Sequence, residues 1–298
     1  MSGVVLLDGG MGQELIRRSS LPATPLWSAE VMMKEPHIVS AVHRDYAKAG
    51  ASVLTLNTYS ATPERLARDA SEDLFEQLQA QAISIAETVT AESPVTIAGC
   101  LSPLFGSYHP EKAPDEATCF ATYQRIVAEQ VDAVDVFMCE TMASVKEVRA
   151  AVRAAAESGK PVWCGMTVLD EDGTRLRSGE PLADGVSAAK ECGASAVLIN
   201  CSWPEAVTQG LSVLAASGLP FGGYANGFTS ISALDLGGTV DGLSARTDLD
   251  PAAYAAHAMD WVNKGATMVG GCCEVGPAHI AEIANQLRAS GHEIVSGV

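Results

Sequence analysis

The chain has no apolar run approaching the roughly 18 residues that a membrane-crossing helix requires, which excludes helical membrane proteins. No secretory leader is expected either, because the apolar stretch before Asp8 is only Val4 to Leu7, too short for the apolar heart of a signal peptide, and a cytoplasmic location is expected. Basic residues are scarce. Against 36 Asp and Glu stand 19 Lys and Arg, a formal charge of −17, and such a surface repels nucleic-acid phosphates and anionic membranes. Neither partner is expected. Aromatics make up 5% of the residues while the apolar fraction is 47%, so the interior must be built from small aliphatic side chains, as suits a tight α/β core. No linker or low-complexity tract interrupts the chain. His37, His43, His257 and His279 fall in helical patterns, and no His-rich constellation supports a zinc hydrolase, which usually needs such ligands and a nearby base.

What is present is an alternation. Short β-branched runs at Val4–Asp8, Ser52–Thr58, Val95–Cys100, Val134–Glu140, Val162–Val168, Ala196–Cys201, Phe221–Asn226 and Thr267–Cys272 read as strands. Helical patterns lie between or after them, at His37–Ala49, Asp73–Glu92, Glu116–Gln130, Ser144–Ala156, Leu182–Cys192, Glu205–Ala216, Pro251–Lys264 and His279–Ser290. Strands alternating with helices mean βα units and a parallel sheet, and eight units in 298 residues predict a single (β/α)8 TIM barrel spanning residues 1–298. Several helical patterns close on a glycine, at Gly50, Gly159, Gly193, Gly218 and Gly265, where a left-handed residue would end the helix. Asn226 to Asp250 and Asp170 to Pro181 read as long loops after the seventh and fifth strands.

Chemistry in such barrels collects at the C-terminal ends of the strands. Those ends carry Asp8-Gly9-Gly10, Asn57-Thr58-Tyr59, Cys100 to Ser102, Cys139-Glu140-Thr141, Thr167, Asn200-Cys201, Asn226-Gly227 and Cys272-Cys273. Adjacent cysteines do not easily bridge to each other, but two thiolates at the end of an apolar run can hold one soft metal ion. Strands six and eight are near neighbours in a closed barrel, so Cys201 can approach Cys272 and Cys273. Three thiolates and one vacant position describe a catalytic zinc better than a structural one, which takes four protein ligands. Eight cysteines in a chain of this length are not a disulfide framework.

Plainer readings stand beside these. A single buried Cys is usually a small core residue, and Cys100, Cys119, Cys139, Cys164 and Cys192 are read that way. Asp8 could cap the helix that begins near Gly12. Trp27 and Tyr59 could be packing residues. Glu140 ends a strongly apolar strand, where a carboxylate is costly without a partner, so a role at the barrel mouth is expected.

The segments Leu7-Asp8-Gly9-Gly10-Met11-Gly12-Gln13-Glu14-Leu15, Leu26-Trp27-Ser28-Ala29-Glu30, His43-Arg44-Asp45-Tyr46, Thr58-Tyr59-Ser60-Ala61-Thr62-Pro63, Cys139-Glu140-Thr141, Asn200-Cys201 and Gly270-Gly271-Cys272-Cys273 run in the order found in the homocysteine S-methyltransferase family, which the chain resembles over nearly its whole length. The resemblance implies that Cys201, Cys272 and Cys273 bind Zn²⁺, that Asp8 and Glu140 hold the ammonium of homocysteine, and that Gly9 and Thr55 match contacts to its carboxylate. Trp27 and Tyr59 match aromatic positions of the methyl-donor pocket in betaine-using members, and the Asn226 loop is expected to contribute polar contacts to the donor. Betaine-using members carry an aromatic residue directly after the glutamate of strand four. Here that residue is Thr141, as in the S-methylmethionine-using branch.

The activity implied is methyl transfer from a small onium donor to the thiolate of homocysteine, giving methionine, with a sulfonium such as S-methylmethionine favoured and a betaine-homocysteine methyltransferase as the alternative. A non-catalytic zinc-binding barrel is the more remote one, and Asp8 and Glu140 near the metal argue against it. No residue beyond the zinc site is assigned a catalytic role, and a monomer or small homo-oligomer is expected.

Overall fold

The short β-branched runs are what build the sheet. A computed structural model of the chain describes residues 3–22, 24–231 and 243–297. Eight strands follow the expected order: β1 (Gly3–Leu6), β2 (Val53–Thr55), β3 (Thr96–Leu101), β4 (Val136–Met142), β5 (Val162–Met166), β6 (Ala196–Asn200), β7 (Phe221–Ala225) and β8 (Met268–Gly271). Each pairs in parallel with the next from β2 to β8, and β8 pairs with β1. The ring closes between β1 and β2 through the Ser52 N–H on the Leu6 carbonyl at 2.8 Å and the Leu6 N–H on Ser52 Oγ at 3.1 Å. This is the predicted α/β barrel.

Alternate residues of each strand separate two cores. Val5, Leu7, Val53, Ala98, Val136, Met138, Trp163, Ala196, Leu198, Tyr224 and Met268 fill the inside of the barrel. Their strand neighbours, including Val4, Leu6, Leu54, Phe137, Val162 and Ile199, face outward into a larger apolar layer beneath the helices. With both faces covered, parallel strands read as near-continuous apolar runs, which is why all eight were visible in the sequence.

The eight expected helices are present as α3 (Pro36–Ala49), α5 (Phe75–Thr90), α6 (Glu116–Gln130), α7 (Val145–Ala156), α8 (Leu182–Glu191), α9 (Pro204–Ala215), α10 (Pro251–Asn263) and α11 (Pro277–Ala289). The predicted terminal glycines Gly50, Gly159, Gly193, Gly218 and Gly265 all have positive φ. The helix expected to begin near Gly12 is α1 (Met11–Arg18), and two further short helices were not anticipated: α2 (Ser28–Lys34) and α4 (Pro63–Asp69). A ninth strand, β9 (Glu293–Val295), was not anticipated either. It pairs in parallel with the lower half of β1, Gly3 against Glu293 to Val5 against Val295, and Val295 packs on the inside core of the barrel. Among the described residues no helix is long and apolar enough to cross a membrane.

The loop at 226–250 has two legs that run antiparallel. The Thr229 N–H reaches the Ser244 carbonyl at 2.9 Å and the Arg246 N–H the Gly227 carbonyl at 2.7 Å. Residues 232–242, the middle of that expected loop, lie outside the described residues.

Candidate metal and substrate site

Strand β6 ends at Asn200, and Cys201 takes a left-handed backbone, φ +50°, that turns its side chain over the barrel mouth. The end of β8 delivers Cys272 and Cys273. Their backbones are tied to the β7 end, Cys272 N–H to the Ala225 carbonyl and the Gly227 N–H to the Cys273 carbonyl, both at 2.9 Å. The three sulfurs lie within 4.8 Å of one another, with Cys272 Sγ 2.9 Å and Cys273 Sγ 3.9 Å from Cys201 Sγ. No disulfide joins them. Cys201 sits well below the ordinary thiol range, because Cys272 and Cys273 donate S–H bonds to it, joined by the Tyr108 hydroxyl at 2.8 Å. The cluster of three soft donors brought together from two strand ends is the one the sequence predicted. Cys100, Cys119, Cys139, Cys164 and Cys192 stay outside it, the first four buried, Cys192 partly so.

Asp8 stands across the same cavity. It does not cap α1, whose N-terminus is Gly10 with no side-chain cap. Its carboxylate instead accepts the Thr55 N–H at 2.9 Å and the Thr55 hydroxyl at 3.4 Å, so Thr55 serves first to hold Asp8. Burial nevertheless raises the Asp8 carboxyl from 3.8 to about 7. Gly9 follows on the cavity wall, where a Cβ would lie 2.2 Å from the Val275 carbonyl oxygen, so no other residue fits without moving the segment after Cys273.

Glu140 closes the polar ring. Burial raises it from 4.5 to about 7; the S–H of Cys100, donating at 3.0 Å, opposes that rise, while the charges of Asp8 and Cys201 add to it. Its direction is set one residue on. Thr141 has φ +62°, a costly conformation for a β-branched residue. The wholly buried Asn200 clamps it there, accepting the Thr141 N–H at 2.8 Å and donating to the Thr141 hydroxyl at 2.9 Å. The Asn of the Asn-Cys pair therefore positions the glutamate of another strand while its neighbour supplies a thiolate.

Beyond the thiolates the cavity is walled by Trp27, Tyr59 and Tyr108. Trp27 and Tyr59 meet edge to face, centroids 6.2 Å apart. The guanidinium of Arg65 lies 5.2 Å from the Tyr59 ring centroid, and the Tyr59 hydroxyl is 2.7 Å from Ser107 Oγ. Tyr108, left-handed at φ +66°, is backed by Arg177, 5.1 Å from its ring centroid. Arg177 is itself paired with both oxygens of the buried Asp170 at 3.0 Å. The loop from Asp170 to Pro181 thus braces the wall beside the cysteine cluster.

One expectation is corrected. Asn226 is wholly buried and does not reach the cavity wall. Its Oδ1 turns inward to accept the Phe228 N–H at 3.1 Å, the local side-chain-to-backbone bond that Asn makes readily in turns. The loop it begins does meet the site, through Phe228, which packs with Cys201 and Cys273. Conversely, Tyr108, Arg65 and the hydroxyl of Tyr224, buried without a hydrogen-bond partner among the described residues, line the cavity and were not singled out in the sequence. Of the three, Tyr224 alone fell within an expected element, the strand at Phe221–Asn226.

A cavity with a three-cysteine cluster, a buried Asp8, a half-buried Glu140 and an aromatic wall suits an amino-acid substrate bearing a soft nucleophile. Known proteins resemble the chain in sequence and in fold. The homocysteine S-methyltransferase family model matches residues 5–287. The homocysteine S-methyltransferase of Escherichia coli (strain K12) is 30% identical over 94% of this chain and 94% of its own. The mouse (Mus musculus) betaine–homocysteine S-methyltransferase 1 is 27% identical over 95% of this chain and 72% of its own. The crystal structure of the metallated form of the homocysteine methyltransferase MmuM from Escherichia coli superposes with a TM-score of 0.78, at 28% identity over 96% of each chain.

Proposed function

Because the chain belongs to the homocysteine S-methyltransferase family, we propose that it transfers a methyl group from a small onium donor to homocysteine, with S-methylmethionine or a related sulfonium favoured over glycine betaine, and that its metal is zinc. The observation that carries this reading is the gathering of three cysteine sulfurs within 4.8 Å of one another on the wall of a cavity that also holds Asp8 and Glu140. A set of three thiolates selects zinc over magnesium or calcium, which prefer oxygen. Cys201, Cys272 and Cys273 would hold the ion. When bound, it supplies a Lewis-acid site that lowers the pKa of the substrate thiol, so that a thiolate is present at neutral pH.

The chain's own residues do the rest. Asp8 and Glu140, each costly to ionise where it stands, gain a counter-charge when the homocysteine ammonium enters between them, and this fixes the amino acid by its polar end. Gly9 and Thr55 border that end and are assigned to its carboxylate. Trp27 and Tyr59 border the donor. In the transfer itself the donor's heteroatom–methyl bond breaks with its electron pair on the heteroatom, the carbon–sulfur bond of methionine forms, and the thiol proton of homocysteine leaves to water. The donor loses its positive charge, so no group on the protein needs to protonate the leaving group. Alignment of the sulfur, methyl and leaving atom supplies much of the rate. Thr141 is buried behind Glu140 and presents no aromatic face, which favours a sulfonium over a quaternary ammonium.

The test is direct. Purified protein should contain one zinc per chain, should lose it in Cys201→Ala with the fold retained by circular dichroism, and should methylate homocysteine faster from S-methylmethionine than from betaine. Full zinc retention in the variant would remove Cys201 from the ligand set, and a faster rate from betaine would reverse the donor choice.

A further inference from the structure

The donor side of the cavity holds a charge that the reaction described above does not use. Arg65, on α4, lines the cavity with Trp27 and Tyr59 and is 8% exposed. Burying a guanidinium is costly unless an anion accompanies it, yet no carboxylate of a described residue lies within ion-pair distance of Arg65. Its neighbour one turn on makes the contrast: Arg68 holds both carboxylate oxygens of Asp69, at 2.8 and 2.6 Å. Arg65 has only neutral acceptors, the Pro103 carbonyl at 3.2 and 3.0 Å from Nε and Nη2, and Ser107 Oγ at 3.2 Å from Nη2. Its Nη1 makes no hydrogen bond to a described residue. The group is also held in place: the Pro103 carbonyl grips one edge of the fork, and the Tyr59 ring lies beside it, 5.2 Å from centroid to guanidinium carbon. In a chain of net charge −17, a tethered, buried cation that lines a cavity and keeps a donor group no described residue uses is an anion receptor.

We infer that Arg65 is the carboxylate subsite of the methyl-donor pocket, so that the donor must carry a carboxylate as well as its onium centre. The inference rests on the onium-donor reading above and sharpens it. Arg65 and the thiolate cluster line the same cavity, and their opposite charges fix the donor's direction: anionic end to Arg65, onium end to the sulfurs. Arg65 also takes up one side of Tyr59, so that Trp27 and Tyr108 offer the larger share of aromatic face to the onium methyl groups. A bare onium without a carboxylate would meet the uncompensated guanidinium and be disfavoured.

The experiment compares S-methylmethionine with its methyl ester, which keeps the sulfonium and removes the carboxylate charge. Binding to zinc-loaded protein is measured by isothermal titration calorimetry, and turnover with homocysteine is measured in parallel. Wild type should bind the acid roughly 10- to 100-fold more tightly than the ester, the range for a charge-assisted contact. Arg65→Met should weaken the acid by about that factor, leave the ester unchanged or tighter, and leave the KM for homocysteine unchanged. Arg65→Lys keeps the charge without the fork and should fall between the two; it also serves if the Met variant does not fold. Equal binding of acid and ester by wild type, or equal loss of both in the variants as expected of a residue that merely props the 103–107 turn, overturns the assignment. If the acid binds preferentially but neither compound donates a methyl group, the donor reading fails while the subsite stands; if both donate at the same rate and bind alike, the subsite fails and the reaction stands.

Discussion

Glu140→Gln separates the charge of this side chain from its shape. Gln keeps an oxygen to accept the S–H of Cys100, now 3.0 Å from the carboxylate, and removes the charge. In the substrate-free protein the carboxyl is raised from 4.5 to about 7, by burial first. At about 1.4 kcal/mol per pH unit, leaving it ionised at pH 8 costs about 3 kcal/mol, and because Glu140 borders an open cavity that water enters, this figure is a ceiling. The sign follows from the direction of the shift. A carboxyl raised in the folded state favours folding fully below pH 4.5, and that contribution is lost as pH rises through about 7. The variant should therefore be more stable than wild type at pH 8 by up to about 3 kcal/mol, and the gap should close to under about 1 kcal/mol at pH 5. Homocysteine binding should move the other way. Loss of a charged partner for its ammonium contributes roughly 1.5–3 kcal/mol, a 10- to 100-fold rise in KM, with zinc content unchanged. Urea unfolding of the metal-free protein at both pH values, with steady-state kinetics on the zinc form, reads both quantities. A variant less stable at pH 8, with its KM for homocysteine unchanged, would show that Glu140 is a structural group and refute the argument.

Two further outcomes follow from the same geometry. The kcat/KM for homocysteine should rise with pH through an inflection near 7, as Asp8 and Glu140 ionise to meet the ammonium; the inflection should be absent when both are replaced by their amides, and its persistence there would assign it to another group. Asn200→Ala strips the buried Thr141 N–H of its acceptor and the left-handed Thr141 of its clamp, so a stability loss of roughly 2–3 kcal/mol with a raised KM for homocysteine is expected; a loss below about 1 kcal/mol would show that Thr141 holds its conformation unaided.

The residues that could be read in advance were those whose position follows from the strand period. Asp8, Cys201, Cys272 and Cys273 stand just beyond strand ends and Glu140 near the end of β4, which runs two residues past the expected end to Met142, and a parallel barrel brings such ends to one rim whatever the details of its helices. Arg65 and Tyr108 escaped because nothing periodic announces them. Arg65 belongs to α4, seven residues long, too short to show a repeat, and Tyr108 lies in the irregular segment after β3. Strand β9 has three residues and pairs with a strand at the far end of the sequence. Asn226 shows the opposite failure. Its place after β7 was read correctly, but whether an Asn at such a point faces the cavity or bonds to the backbone two residues ahead is decided by the loop, which has no period to read. Asn200 was visible as part of a motif, yet its work on Thr141 depends on a contact between β4 and β6, strands that do not pair directly.

The pairing of β1 with β8 on one edge and β9 on the other bears on how the protein is made. As the chain emerges during synthesis, β1 comes out first and both of its ladder partners come out last. Its early anchorage among the described residues is to β2, through the short Ser52 contact and the bonds from Thr55 to Asp8 just beyond the strand. The nascent barrel must therefore wait as an open sheet with β1 unlatched, its inward Val5 and Leu7 uncovered, until residues 268–295 arrive. Closing so long a loop is slow relative to the local helix pairings. Weakening β9, on the side of the barrel away from the thiolates, should thus lower the yield of folded protein more than it alters the turnover of molecules that have closed.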